Sequence, residues 1–354
     1  MRILRRYFFV AIAGTTLLVL AVLLSLGAFI QFIGELNDIG TGDYGLPQAL
    51  AWVLLKLPNV LFQMLPIATL LGALLGLGNL ASRSEFIVLR AAGISPAELA
   101  RAAGMTGLVL AAAGLVLGEA VGPPLERYAR QFRTAAKYGE AGLDTGRSAW
   151  IRDGNMLLNV VAPTGEPGVG GVYVFQKGAD GWLDSIGRAD SVHVEPDGSW
   201  VLDNFADSRF VATGVEAGPR GSPVLRGLNP DLLGLAVVRE ETLSGASLYR
   251  YIRYLQRNGL DSRRYEVAFW ARISTALAVA VMCVLAVPFV LGALRSGGAG
   301  ARMLTGLGVG LVWFLMARTL TDGGAVWGLS PLFVAWLPTT LLAVAAAVAL
   351  ARVR

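Results

Sequence analysis

Six long stretches without one charged side chain constrain this chain more than any other feature. They cover residues 7–33, 57–82, 102–118, 273–294, 303–317 and 323–351. A helix needs about 20 apolar residues to cross a bilayer core. The third and fifth stretches hold 17 and 15 residues and fall short alone. Arginine or glutamate flanks each, with stems long enough to reach the headgroups, so the pattern predicts six membrane helices. Composition agrees, with 16% charged residues against about a quarter in a soluble domain. The first stretch far exceeds the about 7–15-residue core of a cleavable signal, and no small-x-small site follows it, so it is expected to stay as a helix.

Charge orients the predicted helices. Arg2, Arg5 and Arg6 precede the first, and Arg83, Arg90 and Arg101 flank the connection from second to third. Arg295 and Arg302 bracket the fourth-to-fifth connection, and Arg352 and Arg354 follow the sixth. The alternate connections carry acids: Glu35, Asp38 and Asp43 after the first helix, Asp322 after the fifth. Cations gather on the cytoplasmic side, so both termini are expected there. The long insert between the third and fourth helices then faces outward.

Residues 125–262 hold 17 of the 25 acids and 15 of the 30 bases. Asp153-Gly154, Asp180-Gly181 and Asp197-Gly198 separate short alternating runs such as "GVYVFQ" and "SWVLDNF", a pattern of strands and tight turns. The expected architecture is a polytopic α-helical membrane protein with an inserted all-β jellyroll or sandwich. Its plan has helices one to three over 1–122, with a short cytoplasmic segment at about 83–93. The outward β-domain and its connecting helices cover 123–262, and helices four to six cover 263–354.

Several chemistries find no residues to carry them. There is no GxxxxGK[ST], HExxH or nucleophile elbow, so neither a nucleotide loop nor a hydrolase site is expected. No catalytic residue, bound metal or cofactor is expected. The single cysteine, Cys283, permits no intrachain disulfide and reads as a buried thiol. The single histidine, His193, lies in an alternating strand and reads as structural. The pI of about 9.5 reflects arginines spread along membrane-flanking loops, not a nucleic-acid surface. Glycine pairs at 72/76 and 306/310 have the spacing that lets membrane helices approach closely.

Three constellations remain. In "ERYARQFRTAAKYG", Arg127, Arg130, Arg133 and Lys137 fall within about 120° of one helical face. They lie on the outer side, where the orientation rule predicts no such cluster. Guanidinium forks grip phosphate bidentately, so this stripe suits either a phosphorylated lipid headgroup or interfacial anchoring. A second stripe, Arg250, Arg253 and Arg257, interleaves with Tyr249, Tyr251 and Tyr254 and has the same two readings. Lys56, Glu119 and Arg272 are intramembrane or near-boundary charges, which read either as functional candidates or as snorkelling side chains.

The third constellation is "ASRSEFIVLRAAGISPAE" at 81–98. Ser95-Pro96-Ala97-Glu98 has the capping-box residues, and Gly93 is placed to end a preceding helix. Ser82 and Glu85 repeat the spacing and suggest a short helix between. The segment suits either an interfacial turn or a helix that docks a cytoplasmic partner.

The chain resembles the lipopolysaccharide-export permeases of Gram-negative bacteria, the LptF/LptG family, and the LptG type more closely. The resemblance rests on "PIATLLGALLGLGNLASRSEFIVLRAAGIS", "ARQFRTAAKYG", "WIRDGN" and "GALRSGGAGARMLTGLGVG" in that order. It implies a multi-pass protein of the bacterial inner membrane with a periplasmic jellyroll, paired with an LptF-type permease as a heterodimer. It implies a cytoplasmic LptB-type ATPase dimer, which would hold ATP and Mg, and a single-helix LptC-type partner. The substrate implied is lipopolysaccharide from the outer leaflet, with no nucleic acid involved. By motif position Glu85, with Arg83 and Arg90 beside it, becomes the contact that couples to the ATPase. Arg130 and Arg133 become headgroup contacts, and helical spacing extends that set to Arg127 and Lys137.

One departure from the family stands out. Its members carry lysines at the outer end of the first helix, where this chain has Gln31, Gly34, Asn37 and Asp38. Headgroup binding is then expected to lean on the 127–137 stripe. Two other readings stay open on residues alone: a lipid transporter driven by an ion gradient, or a membrane-anchored scaffold whose β-domain binds partners.

Overall fold

The computed structural model describes residues 2–144, 148–161, 171–178, 180, 182–194, 199–211, 213–218, 220–225, 242–292, 299–324 and 327–353. Gly181, the turn expected at 197–198, Arg295 and Arg354 lie outside them. Among the described residues six helical spans are long and apolar enough to cross a membrane. They are α1 (Arg2–Glu35), α2 (Leu46–Ser82), α4 (Pro96–Val116) with its continuation, α7 (Arg263–Leu291), α8 (Ala299–Gly324) and α9 (Pro331–Arg352).

Two boundaries differ from the reading of charge alone. α2 begins at Leu46, so Lys56 lies within the helix and not at its start. At about 1.5 Å per residue, its 37 residues reach well beyond a core of about 30 Å. The uncharged stretch 323–351 is also not one helix. α8 ends at Gly324, and Ser330 caps α9 by accepting from the Phe333 amide at 3.4 Å.

The membrane core forms where α2 and α7 cross the other helices. Phe8, Ile12, Leu74, Leu77, Leu99, Met282, Cys283 and Val287 are all buried within it. Gly72 and Gly76 permit the closest approach. A β-carbon on Gly72 would collide with the Thr16 backbone, and one on Gly76 would lie 2.6 Å from the Ala11 carbonyl oxygen. The Thr15 hydroxyl donates across this contact to the Gly72 carbonyl at 2.7 Å. At Gly306 and Gly310 the neighbours are side chains of α2, Leu74 and Ile67.

The third span does not stop at the membrane. After α4 a π-helical turn, Leu117–Val121, passes directly into α5 (Gly122–Asp144). α5 leads to a six-stranded antiparallel sheet in the order β1-β2-β3-β4-β7-β8 and a three-stranded one in the order β5-β6-β9. The strands are β1 (Ser148–Asp153), β2 (Met156–Val161), β3 (Val172–Lys177), β4 (Leu183–Ala189), β5 (Ser191–Val194), β6 (Trp200–Asp203), β7 (Ala206–Val211), β8 (Gly214–Ala217) and β9 (Val224–Leu225). Leu158, Val172, Val174 and Ala189 of the larger sheet pack on Val192, Trp200 and Leu202 of the smaller. Two sheets thus enclose one core, as in a sandwich. His193 lies on its surface, with Nδ1 3.0 Å from the Asp203 carboxylate. That contact, with a second from Ser191, holds the Asp203 carboxyl below its usual range. α6 (Gly245–Arg257) returns the chain to α7.

Candidate functional site

The segment at 81–98 folds into α3 (Glu85–Ala91), a helix of two turns between α2 and α4. Ser82 does not form the expected box with Glu85. α2 runs on through Ser82, whose hydroxyl donates back to the Asn79 carbonyl at 2.8 Å. Ser84 makes the corner instead, with φ of +62°. The far end matches expectation. Gly93, at φ +84°, closes α3 with Gly93 N–H donating to Arg90 O and Ile94 N–H to Leu89 O, the paired bonds of a Schellman stop. Ser95 and Glu98 then form the reciprocal capping box of α4.

α3 has one anchored and one free face. Phe86 is buried edge-on against Phe8 with ring centres 6.0 Å apart. Ile87 and Val88 remain 54% and 68% exposed, and Arg83 and Arg90 are exposed beside them. Glu85 is half-buried, and its carboxylate accepts from the Tyr7 hydroxyl at 2.7 Å. Tyr7 was not recognisable in the sequence, because 78 residues separate the partners. A rooted helix with an apolar tip, cationic flanks and an aimed carboxylate can dock and carry force.

The outer stripe is less free than its sequence suggests. Arg133 pairs with Glu35 at 3.0 Å and with Asp38, and Lys137 pairs with Asp38 as well. Arg130 pairs with Glu126 one turn back at 2.8 Å. Arg133 also lies 4.9 Å from the Trp52 ring centre, and Lys56 lies 5.0 Å from it. Lys137 covers Tyr44 at 5.1 Å, and the Tyr44 hydroxyl donates to Glu35 at 3.0 Å. Burial, then this bond to a carboxylate, push the Tyr44 phenol up to about 12. The Asp43 amide donates to the Ala136 carbonyl at 2.8 Å, so the loop after α1 clasps α5.

This clasp explains the departure at the end of the first helix. Glu35 and Asp38 occupy that end and face the stripe. The four cations therefore differ in availability. Lys137 has a side chain only 8% exposed, whereas Arg130 and Arg133 keep 29% and 31%. Arg127 is exposed.

Glu119 and Arg272 form a second node that the sequence left as separate charges. The π turn carries Glu119, which accepts from Arg272 of α7 at 2.8 Å and from the Gly245 amide that opens α6. Such turns inside helices are frequent at functional sites. The second stripe also has a mechanical task. Tyr254 of α6 bonds both backbone groups of Arg152, accepting at 2.9 Å and donating at 2.8 Å. Asn258 accepts from the Gly154 amide at 3.0 Å. The "WIRDGN" turn is thus gripped by α6, and Tyr251 packs edge-on against Tyr265 of α7 at 4.7 Å. Among the described residues no group of three His, Cys, Asp or Glu is placed to hold a metal ion.

The comparisons with known proteins agree with one another. The profile of the family described as "Lipopolysaccharide export system permease LptF/LptG" matches residues 6–352. The chain is 32% identical to lipopolysaccharide export system permease protein LptG of Escherichia coli (strain K12) over 346 residues, 95% of this chain and 94% of that one. It is 32% identical to the protein of the same name from Haemophilus influenzae over 341 residues, 96% of this chain and 95% of that one. The chain therefore belongs to the LptF/LptG family of lipopolysaccharide export system permeases, as a multi-pass membrane transport subunit.

Proposed function

We propose that the chain is the LptG-type half of a permease heterodimer with an LptF-type partner. An LptB-type ATPase dimer, holding ATP and Mg, drives the pair from the cytoplasmic side, and an LptC-type single-helix protein joins them. The observation that carries the energy-coupling reading is α3. Its exposed Ile87 and Val88, flanked by Arg83 and Arg90, offer an apolar knob with a cationic collar. Glu85 is held at one edge by Tyr7. Phe86, packed on Phe8, ties any push on α3 to α1.

Lipopolysaccharide headgroup phosphates meet α5 in this reading. Arg127, Arg130 and Arg133 are the more exposed cations of the stripe, and Lys137 holds Asp38. Exposed ion pairs are weak, so a phosphate can displace the more exposed Asp38 from Arg133, while Glu35, with a side chain only 12% exposed, stays paired. Movement then reaches the β-domain through Glu119, α6 and the Tyr254 grip.

The test is flux in proteoliposomes containing this chain, the second permease and the ATPase. Glu85→Ala is expected to leave assembly intact and to separate ATP hydrolysis from lipopolysaccharide release. Normal release by that variant would remove the coupling assignment. Release without ATPase but with an ion gradient would favour the gradient-driven alternative, and no release under either condition would favour a scaffold.

A further inference from the structure

A groove of about 680 Å³ opens on the face made by α4, α7 and α9, and none of the four stripe cations lines it. Its walls are almost wholly apolar and paved with small residues. Ala97, Ala100 and Gly104 come from α4, Ala280 and Val284 from α7, and Ala343 and Ala347 from α9. Gly104 gives it depth, since a β-carbon there would already lie 3.1 Å from Val284. Two guanidinium groups belong to the same lining, Arg5 of α1 and Arg101 of α4. Both are exposed, and among the described residues neither makes an ion pair or hydrogen bond.

Depth and charge together identify the occupant. From Ala97 to Leu108 the lining climbs about 16 Å at 1.5 Å per residue. That is close to half of a bilayer core of about 30 Å, one leaflet. The cationic end is the end that the positive-inside asymmetry assigns to the cytoplasm. Basic pockets between membrane helices on that side recognise anionic lipid headgroups. The volume lies within the about 300–1,000 Å³ range of small-ligand pockets.

We propose that this groove binds an anionic glycerophospholipid of the cytoplasmic leaflet, with Arg5 and Arg101 on its phosphate and an acyl chain along α4, α7 and α9. The site is separate in position and in leaflet from the lipopolysaccharide path proposed above, and it does not depend on that reading. Its occupant fills the junction of four helices and ties the free end of α1 to α4. The small side chains of the walls leave the width that an acyl chain takes.

Photocrosslinking tests this in the assembled complex. A benzophenone amino acid replaces Met105, which lines the groove and is 46% exposed. The complex is reconstituted in vesicles of equal parts phosphatidylglycerol and phosphatidylcholine, and adducts are identified by mass. Each cation near an anionic headgroup adds about a fivefold preference. Phosphatidylglycerol adducts are therefore expected to dominate about tenfold or more. Arg5→Gln with Arg101→Gln should bring the ratio near parity, and Arg5→Lys with Arg101→Lys should keep it. Ala347→Leu, on an exposed wall position, should lower adducts of both lipids. Equal labelling in the parent protein would overturn the proposal, as would adducts with another polypeptide chain. If the double glutamine variant does not assemble, the single Arg101→Gln variant carries the test, and an unchanged ratio there also overturns it.

Discussion

The hydroxyl of Tyr7, near the start of the first membrane helix, donates a 2.7 Å hydrogen bond to the carboxylate of Glu85, the first residue of α3. The contact joins the short helix between the second and third spans to the first span, and Phe86 against Phe8 repeats the join one residue on. Glu85 is thus a positioned group, where a loop carboxylate would otherwise sample many orientations.

Removing only the Tyr7 hydroxyl separates positioning from charge. Tyr7→Phe is expected to keep α3 folded through Phe86 and to lower lipid released per ATP several-fold, with Glu85→Ala more severe. Coupling ratios in proteoliposomes check this. A Tyr7→Phe protein with parental coupling beside a defective Glu85→Ala would show that the bond does not position the carboxylate.

The clasp at the outer side makes an opposite-signed prediction. Asp38→Asn and Glu35→Gln remove the carboxylates that occupy Arg133. Lipopolysaccharide crosslinking through α5 is then expected to rise. Arg130→Glu with Arg133→Glu should abolish it. Unchanged crosslinking in both directions would reduce the stripe to interfacial anchoring.

Tyr44 predicts an alkaline limit for the same clasp. Burial and Glu35 favour its protonated form, raising it from 10.0 to about 12. The stabilisation is complete below the ordinary phenol value and is lost as pH rises through the raised one. Thermal unfolding followed between these values should fall less steeply in Tyr44→Phe than in the parent.

Glu119 joins three elements, so its loss is expected to cost more than a surface charge. Glu119→Ala leaves Arg272 and the Gly245 amide without this acceptor. At about 1.5–3 kcal/mol per hydrogen bond to a charged group, the unfolding temperature in detergent should fall by several degrees. Glu119→Gln keeps an acceptor for the amide and should recover part of it.

Gly72 is the packing counterpart. A methyl group there meets the backbone of Thr16, which cannot rotate aside as a side chain can. Gly72→Ala is expected to destabilise the first two helices by about 1–3 kcal/mol, measured as the same melting shift. Gly300, which has nothing near its β-carbon position, serves as a control that tolerates alanine.

Local chemistry made much of this protein readable in advance. Hydropathy marks which segments tolerate lipid, and all six spans follow from it once the long-stemmed charges flanking the two shorter runs are counted in. Capping is equally local: Ser95 with Glu98 starts α4, and Gly93 ends α3, because those bonds lie within a few residues. The short helix expected between the second and third spans is present as α3. The Ser82 spacing misled, since a longer α2 absorbed that serine and left Ser84 to turn the corner.

Tertiary structure decided which charges meet. Arg133 reaches Glu35 across 98 residues, and Arg272 reaches Glu119 across 153. No periodicity encodes such pairs, because they depend on how α5, α1 and α7 come together in space. The sequence by itself determined which segments can cross a membrane and where cations line one helical face. Packing alone decided that Lys137 is covered while Arg127 is exposed. The physical reason is one of range: transfer to lipid and helix capping act on neighbouring residues, whereas ion pairing acts only on groups that folding has already brought within a few ångströms.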